Sequence, residues 1–168
     1  EGLIENLKKI YNPSILFGLK FDEIEINSKA ISKNSLPENL AILLSTSGST
    51  GSSKLVKLSH HNLHANASSI SKYLNIQSSS KAHCSLPLSY SYGLSVLNSH
   101  LQSGACTYLS ELNPLSTNYY DELIEENITS ISGVPFFYQM LFRTGFLNYE
   151  FPSLKVMTQA GGRLNDKL

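Results

Sequence analysis

The sequence predicts an α/β fold with a largely parallel sheet flanked by helices. From residue 40 onward, short β-branched or leucine-rich runs alternate with longer segments whose apolar residues recur at helical spacing. The chain has 168 residues, of which 41% are apolar, so it is long enough to bury a core. Strands that alternate with helices form parallel sheets through right-handed crossovers, and helices then cover both faces.

Strand-forming runs occur six times in this part of the chain, each bounded by turn residues. They are predicted near 40–45, 55–58, 82–86, 105–109, 129–132 and 154–158. Residues 1–39 predict a helix near 2–10, strands at 14–17 and 21–26, and then a polar stretch. We interpret 1–39 as an N-terminal segment and 40–168 as an α/β subdomain of the same domain.

The first two helices are predicted near 60–75 and 91–103. Ser59 is a favourable N-cap residue for the first of them. Its apolar stripe consists of Leu63, Ala67, Ile70 and Leu74. The second helix ends at Gly104, and its apolar stripe consists of Leu94, Leu97 and Leu101.

The last two helices are predicted near 117–127 and 135–144. In the third, Tyr120, Leu123 and Ile124 form the apolar side, and Asp121, Glu122, Glu125 and Glu126 form a solvated acidic face. The fourth opens with Pro135, which suits the first turn of a helix. We expect it to bury Phe136, Phe137, Met140 and Leu141.

Charge and cysteine content exclude several classes of protein. Thirteen Lys and Arg residues balance thirteen Asp and Glu residues, so no basic field indicates nucleic-acid binding. No apolar run reaches the roughly 18 residues of a membrane span. Cys84 and Cys106 lack a CxxC spacing and lie in apolar surroundings, which predicts buried free thiols and a cytoplasmic protein. Because the chain starts at Glu1 and not at methionine, we expect it to begin inside a longer protein.

The segment that follows the strand near 40–45 has the chemistry of an anion-binding loop. It reads Thr46-Ser47-Gly48-Ser49-Thr50-Gly51-Ser52-Ser53-Lys54. Its glycines permit backbone angles that expose consecutive N–H groups, its hydroxyls add donors, and its lysine adds a charge. An ammonium about 4 Å from a phosphate gains about 4 kcal/mol at an effective dielectric of about 20. Lys54 should therefore dominate the affinity, and we expect the loop at the carboxyl edge of the parallel sheet.

Two common phosphate loops do not match this segment. The pattern GxxxxGK[ST], started at Gly48, has Ser53 where its second glycine belongs and Leu55 where its metal-binding hydroxyl belongs. The dinucleotide fingerprint GxGxxG is absent. From composition alone, a flexible Ser/Gly surface loop remains an equally good interpretation.

The segment resembles the phosphate-binding signature [ST]SG[ST][ST]GxPK of the adenylate-forming superfamily, which includes acyl-CoA synthetases, peptide-synthetase adenylation domains and luciferases. Eight of the nine positions agree, and Ser53 replaces the usual proline. Four further blocks resemble the family in order and spacing. They are Leu58–Leu63 (LSHHNL), Pro87–Gly93 (PLSYSYG), Gly133–Pro135 (GVP) and Gln159–Leu164 (QAGGRL).

This resemblance implies an AMP-forming ligase that uses ATP to activate a carboxylic acid and passes the acyl group to a thiol. The acceptor would be coenzyme A in an acyl-CoA synthetase, or the arm of a carrier protein. By the same resemblance, the nucleotide-binding residues are Thr46, Ser47, Gly48, Ser49, Thr50, Gly51 and Lys54. Gly161 and Gly162 would run beside the adenylate, and Tyr90 would face the substrate carboxylate. A neutral Tyr90 argues against an amino-acid substrate, whose ammonium needs an acidic partner.

The resemblance assigns no catalytic residue and no metal ligand within the chain. The family's magnesium carboxylate and catalytic lysine are expected beyond Leu168, so we expect these 168 residues alone to be inactive. His60 and His64 have the i, i+4 spacing of metal ligands, but no neighbouring Cys or carboxylate completes a site. We assign His60 and Asn62 to the helix start, and His83 and His100 to the core or surface. The alternative interpretation is a non-catalytic binding or interaction module that keeps the fold.

Overall fold

The computed structural model describes residues 5, 8–10, 12–13, 15–17, 24–27, 36–45 and 55–164. The chain divides into two compact units, Glu1–Glu38 and Asn39–Leu168. In the first unit, β1 (Ile15–Phe17) pairs antiparallel with β2 (Ile24–Ile26). Glu5 and residues 8–10 are helical, and the Lys8 ammonium lies 3.2 Å from the Glu25 carboxylate.

The second unit begins with a hairpin. Strand β3 (Leu40–Ser45) pairs antiparallel with β4 (Leu55–Ser59), and Ser45 lies opposite Leu55. Both strands were predicted, but their assignment to the parallel sheet was wrong, because they form a separate two-stranded sheet. The segment between Ser45 and Leu55 therefore connects two antiparallel strands and does not follow a strand of the parallel sheet.

Helix α1 (His60–Tyr73) begins directly after β4 with a reciprocal cap. The Ser59 hydroxyl accepts a hydrogen bond from the Asn62 N–H (3.1 Å), and the Asn62 side-chain oxygen accepts one from the Ser59 N–H (3.0 Å). Each side chain thus satisfies one backbone donor at the helix start. The predicted N-cap is confirmed, and Asn62 has the structural role assigned to it.

A four-stranded parallel sheet forms the centre of this unit. Its strands are β5 (Lys81–Cys84), β6 (Cys106–Leu109), β7 (Ser130–Gly133) and β8 (Val156–Gln159). Their spatial order is β6-β5-β7-β8, and every neighbouring pair is parallel. The predicted α/β class with a parallel sheet flanked by helices is confirmed.

Three helices connect these strands. They are α2 (Ser91–Gln102), α3 (Tyr119–Glu125) and α4 (Pro135–Arg143). Within the sheet, the step from β5 to β6 runs toward one edge, whereas the steps from β6 to β7 and from β7 to β8 run toward the other edge. Right-handed crossovers therefore require α2 on one face of the sheet and α3 and α4 on the other. A 3₁₀ turn at Phe146–Asn148 follows α4.

The two hydrophobic cores confirm this arrangement. On the α2 face, Ala82 and Cys84 pack with Val96. On the opposite face, Ile131 lies in a larger aromatic core with residues of α3 and α4. That core comprises Tyr119, Tyr120, Leu123, Ile128, Ile131, Tyr138 and Leu141.

Two predicted burial patterns were wrong. Helix α2 buries Val96, Ser99 and His100, whereas Leu101 is 59% exposed. Helix α4 buries Tyr138 and Leu141, whereas Phe136 is 63% exposed. The apolar content of both helices is high on several faces, so residue type alone did not identify the side that meets the sheet.

The two cysteines differ. Cys84 is a buried free thiol, as predicted, and burial raises its pKa. Cys106 is free but exposed, so its predicted burial was wrong. Cys106 lies at the start of β6, one of the two edge strands of this sheet, where only one neighbouring strand covers it.

Glu122 does not lie on a solvated acidic face. Its carboxylate lies 3.0 Å from Nε2 of the fully buried His83 and accepts a 2.7 Å hydrogen bond from the Ser110 hydroxyl. These contacts join α3 to β5 and to the loop after β6. Burial lowers the pKa of His83, and the neighbouring carboxylate partly opposes this effect.

Among the described residues, no helix combines the length and the hydrophobicity that crossing a membrane requires.

Candidate functional site

The loops that follow β5, β7 and β8 meet at the carboxyl edge of the parallel sheet. The strand order reverses between the neighbouring strands β5 and β7. The chain leaves β5 toward β6 at one edge of the sheet and leaves β7 toward β8 at the other edge. Open α/β sheets bind ligands in the crevice at such a reversal. Three of the sequence blocks lie here: Pro87–Gly93 after β5, Gly133–Pro135 at the end of β7, and Gln159–Leu164 at the end of β8.

Gly93 allows the first of these loops to fold against its own helix. A Cβ at Gly93 would lie 2.5 Å from the Pro87 carbonyl oxygen and 2.9 Å from that of Leu86. Both distances are far below a normal contact, so a side chain here would displace the loop. The close approach also fixes Tyr90, whose N–H donates a 3.0 Å hydrogen bond to the Pro87 carbonyl.

Tyr90 and Gly161 are brought together at this edge. A Cβ at Gly161 would lie 2.9 Å from the Tyr90 hydroxyl and 3.3 Å from Cγ1 of Val134. A Cβ at Gly162 would lie 3.2 Å from Cγ of Pro135. Gly161 has a φ of +85°, which disfavours any residue with a side chain. The three loops thus form one continuous surface, in which 39% of Tyr90 is exposed.

Two helix N-termini start at the same edge without a side-chain cap. Tyr90 precedes α2 and Val134 precedes α4, and neither side chain bonds the first-turn N–H groups. Uncapped N–H groups and the positive end of the helix dipole favour a negatively charged ligand. The described edge is therefore electrostatically suited to an anion.

A groove of about 840 Å³ runs from this edge down the α2 face of the sheet. It lies over β7 and β8, which receive no crossover helix on this face, and α1 and α2 form its walls. It extends from Ala160 near the carboxyl edge to Lys155 at the start of β8. Five residues of strand at about 3.3 Å each make it about 16 Å long.

Three hydroxyl groups form a cluster on the floor of the groove. The Thr158 hydroxyl lies 2.7 Å from the Tyr92 hydroxyl and 2.8 Å from the Ser132 hydroxyl. We call Tyr92, Ser132 and Thr158 the hydroxyl cluster. Burial raises the pKa of Tyr92, so its phenol is neutral and able to donate.

A buried histidine lies beside the groove further from the edge. Nδ1 of His100 is 2.9 Å from the Val96 carbonyl oxygen. Because a carbonyl only accepts, Nδ1 carries the proton, and Nε2 is left to accept from the Ser130 hydroxyl at 3.4 Å. Burial lowers the pKa of His100, so the ring is neutral near pH 7.

The structure covers only part of the predicted site. Tyr90, Gly161 and Gly162 lie together at the carboxyl edge. The predicted nucleotide-binding residues Thr46, Ser47, Gly48, Ser49, Thr50, Gly51 and Lys54 lie outside the described residues.

The hydroxyl cluster and His100 were missed by sequence reasoning. A signal was available, because Ser130 and Ser132 alternate with Ile131 and place polar groups on one face of a strand that was expected to be buried on both.

This chain is therefore an open α/β protein whose carboxyl edge is suited to an anion and has a groove beside it. Comparisons with known proteins identify its family. The family model for "AMP-binding enzyme" matches residues 6–168. The chain is 31% identical over 144 residues to the PKS-NRPS hybrid synthetase acdB of Aspergillus candidus, covering 84% of this chain and 6% of the relative. It is 30% identical over 112 residues to the acyl-CoA ligase sidI of Beauveria bassiana, covering 66% of this chain and 19% of the relative.

Two solved structures that are similar to this chain are VinN and MenE. VinN in complex with L-aspartate superposes with a TM-score of 0.69 at 26% identity, covering 83% of this chain and 35% of VinN. The o-succinylbenzoate coenzyme A synthetase MenE of Bacillus subtilis, in complex with AMP, gives 0.65 at 25% identity, covering 73% of this chain and 25% of MenE. The chain belongs to the AMP-binding enzyme family, and it spans about a third or less of these relatives.

Proposed function

We propose that this chain is part of an AMP-forming ligase. The carboxylate of an acid attacks the α-phosphate of ATP, which gives an acyl-adenylate and releases pyrophosphate, and a thiol then takes the acyl group and releases AMP. The observation that carries the proposal is the meeting of three family blocks at the sheet reversal, where Tyr90 lies against Gly161 and two helices begin uncapped.

Each part of the site has a role in this reaction. Thr46–Lys54 would hold the β- and γ-phosphates as pyrophosphate leaves, with the Lys54 ammonium as the main charge. Gly161 and Gly162 would let the adenylate approach the backbone closely, since neither has a side chain and a Cβ would press on Tyr90 at the first position and on Pro135 at the second. Tyr90 would face the acid's carboxylate. The protein's contribution is positioning and charge stabilisation.

Among the described residues, no group of three His, Cys, Asp or Glu side chains could hold a metal ion. A magnesium ion would need only one or two carboxylates together with the phosphates of ATP. Its carboxylate ligand is predicted beyond Leu168.

For the acceptor we propose coenzyme A. The curated relatives include an acyl-CoA ligase and PKS-NRPS synthetases, so a carrier-protein thiol is the alternative to test. Thioester formation should be measured with coenzyme A and with a carrier protein that bears its prosthetic arm. A thioester with the carrier protein alone would overturn the choice of coenzyme A and leave the ligase reaction intact.

The test of the ligase is ATP–pyrophosphate exchange by the full-length protein with short, fatty and aromatic acids. Lys54→Ala should lower exchange by at least about a hundred-fold, the size of effect seen when one charge-stabilising donor is lost. Lys57→Ala is the matched control, because Lys57 is an exposed lysine on β4. Equal activity of the two variants would contradict the role of the loop. No exchange with any acid would contradict the ligase and favour a non-catalytic binding module.

A further inference from the structure

We propose that Tyr138 is a positioning residue of the ligase, and that its hydroxyl group fixes the end of β8, with Gly161 and Gly162, relative to the start of α4. This role rests on the proposed ligase function. Tyr138 is buried in the aromatic core, on the face of the sheet opposite the groove. It therefore acts through the backbone of β8 and not by contact with a substrate.

Thr158 on β8 is held from both faces of the sheet. From the α4 side, the Tyr138 hydroxyl donates a 2.5 Å hydrogen bond to the Thr158 carbonyl oxygen. From the α2 side, the Tyr92 hydroxyl lies 2.7 Å from the Thr158 hydroxyl, which also lies 2.8 Å from the Ser132 hydroxyl. The groups of the hydroxyl cluster thus bond one another, and together with Tyr138 they join β8 to α2, α4 and β7.

The same two helices meet the glycines further along the chain. Gly161 lies against Tyr90 and Val134, the residues that precede α2 and α4, and Gly162 lies against Pro135 at the start of α4. Each helix therefore contacts the end of β8 at two levels, once at Thr158 and once at the glycines. Two contacts fix both the position and the direction of the strand end, whereas a single contact leaves it free to pivot.

Gln159 connects the two levels. Its side-chain amide donates a 2.7 Å hydrogen bond to the Gly162 carbonyl oxygen, which holds the turn after β8 against the strand. A displacement of Thr158 therefore also displaces Gly161 and Gly162.

The hydroxyl of Tyr138 serves this bond and not the packing of the core. A phenylalanine would fill the same space, and a buried hydroxyl is unfavourable unless it is hydrogen-bonded. The glycines and the two uncapped helix starts form the edge where the adenylate would lie. Since a displacement of about 1 Å can lower a rate about a hundred-fold, a bond outside the site affects the reaction when it sets this geometry.

Tyr138→Phe tests the role, and the same core offers two matched controls. The Tyr120 hydroxyl also donates to a carbonyl oxygen, that of Leu141, 3.1 Å away in the last turns of α4. Tyr120→Phe therefore removes a comparable buried bond at the other end of the same helix. Tyr119→Phe removes a buried hydroxyl that has no hydrogen-bond partner in the described part of the chain.

The first measurement is amide hydrogen exchange of the full-length protein, followed by mass spectrometry on the peptide that covers 156–162. Exchange should be at least about three-fold faster in Tyr138→Phe, because loss of one hydrogen bond shifts a local opening equilibrium several-fold. Gln159→Met should also speed exchange in this peptide, because it removes the bond to Gly162 without adding a charge. Both controls should exchange at the wild-type rate here.

The second measurement is ATP–pyrophosphate exchange by the full-length protein. In Tyr138→Phe, kcat should fall at least about ten-fold while KM for ATP and for the acid stays within about two-fold, because the lost bond sets the reacting geometry and contacts no substrate. Both control variants should keep the wild-type kcat. A purely structural role would lower the activity of Tyr138→Phe and Tyr120→Phe alike.

The outcomes separate this role from the ligase itself. Unchanged hydrogen exchange in Tyr138→Phe or in Gln159→Met would overturn the role of Tyr138 while the ligase stands. So would a wild-type kcat in Tyr138→Phe, a change in KM alone, or equal losses of kcat in Tyr138→Phe and Tyr120→Phe. Wild-type protein that is inactive with every acid would overturn the ligase, and the positioning role with it, even where hydrogen exchange differs between the variants.

Discussion

Gly161→Ala should destabilise the protein through two separable effects. The first is conformational, because φ at this position is +85°, and the left-handed region costs about 1–2 kcal/mol for a residue with a Cβ. The second is steric, because the new Cβ would lie 2.9 Å from the Tyr90 hydroxyl and 3.3 Å from Val134. Because the nearer atom ends a half-exposed side chain that can move, the steric cost lies at the low end of overpacking, about 1 kcal/mol, and the free energy of unfolding should fall by about 2–3 kcal/mol.

Gly104→Ala separates the two effects. Gly104 also has a positive φ, of +66°, but the nearest atom to a Cβ there is 3.9 Å away, on Ser78. The free energy of unfolding of Gly104→Ala should therefore fall only by the conformational contribution, about 1–2 kcal/mol. Tyr90→Phe in the Gly161→Ala background removes the clashing oxygen and should restore part of the difference.

The assay is urea denaturation followed by circular dichroism, with the free energy of unfolding obtained by linear extrapolation. Equal losses for Gly161→Ala and Gly104→Ala would show that Tyr90 swings aside freely. That result would refute the tight contact between the loops after β5 and β8.

Three further predictions concern stability, and each is measured by the same denaturation assay. Ser59→Ala should cost about 1 kcal/mol, because it removes the N-cap of α1, whereas Ser69→Ala, an exposed mid-helix control, should cost less. Leu141→Ala should cost about 2–5 kcal/mol, because the side chain is fully buried in the aromatic core, and a loss below 1 kcal/mol would contradict that packing. Burial lowers the pKa of His83 below its value in the unfolded chain, about 6.5, so the unfolded state binds the proton more readily. Stability should therefore fall as pH drops from about 6.5 toward the folded-state pKa. Glu122→Gln should steepen this loss of stability, since it removes the carboxylate that favours the protonated ring, and His83→Gln should flatten it. An unchanged slope in both variants would contradict the buried pair.

Much of the fold follows from local pattern. The period of the apolar residues distinguished helices from strands along 40–164, and Ser59 marked the start of α1 because an N-cap needs only contacts within one turn. The positions of the family blocks at strand ends also followed from order along the chain. These features depend on neighbours in sequence, which a single sequence contains.

Side-chain burial was harder to predict. Glu122 has the residue type of a solvated face, yet its side chain is largely buried. Leu101 and Phe136 have the residue type of a core, yet both are exposed. Which side of a helix meets the sheet depends on the crossover that places it, and crossovers join residues far apart in the chain. The burial of Glu122 is explained by His83, because the buried imidazole of β5 gives the carboxylate of α3 a polar partner.

The sequence by itself determined the α/β class, the order of the elements, the cap of α1 and the family blocks, because each is encoded within a few consecutive residues. Only the tertiary structure decided that β3 and β4 form a separate hairpin, that Tyr90 meets Gly161, and that Tyr92, Ser132 and Thr158 share one groove floor. Tyr92 and Thr158 are 66 residues apart in the chain, and their contact depends on strand order and crossover handedness, which no local pattern specifies.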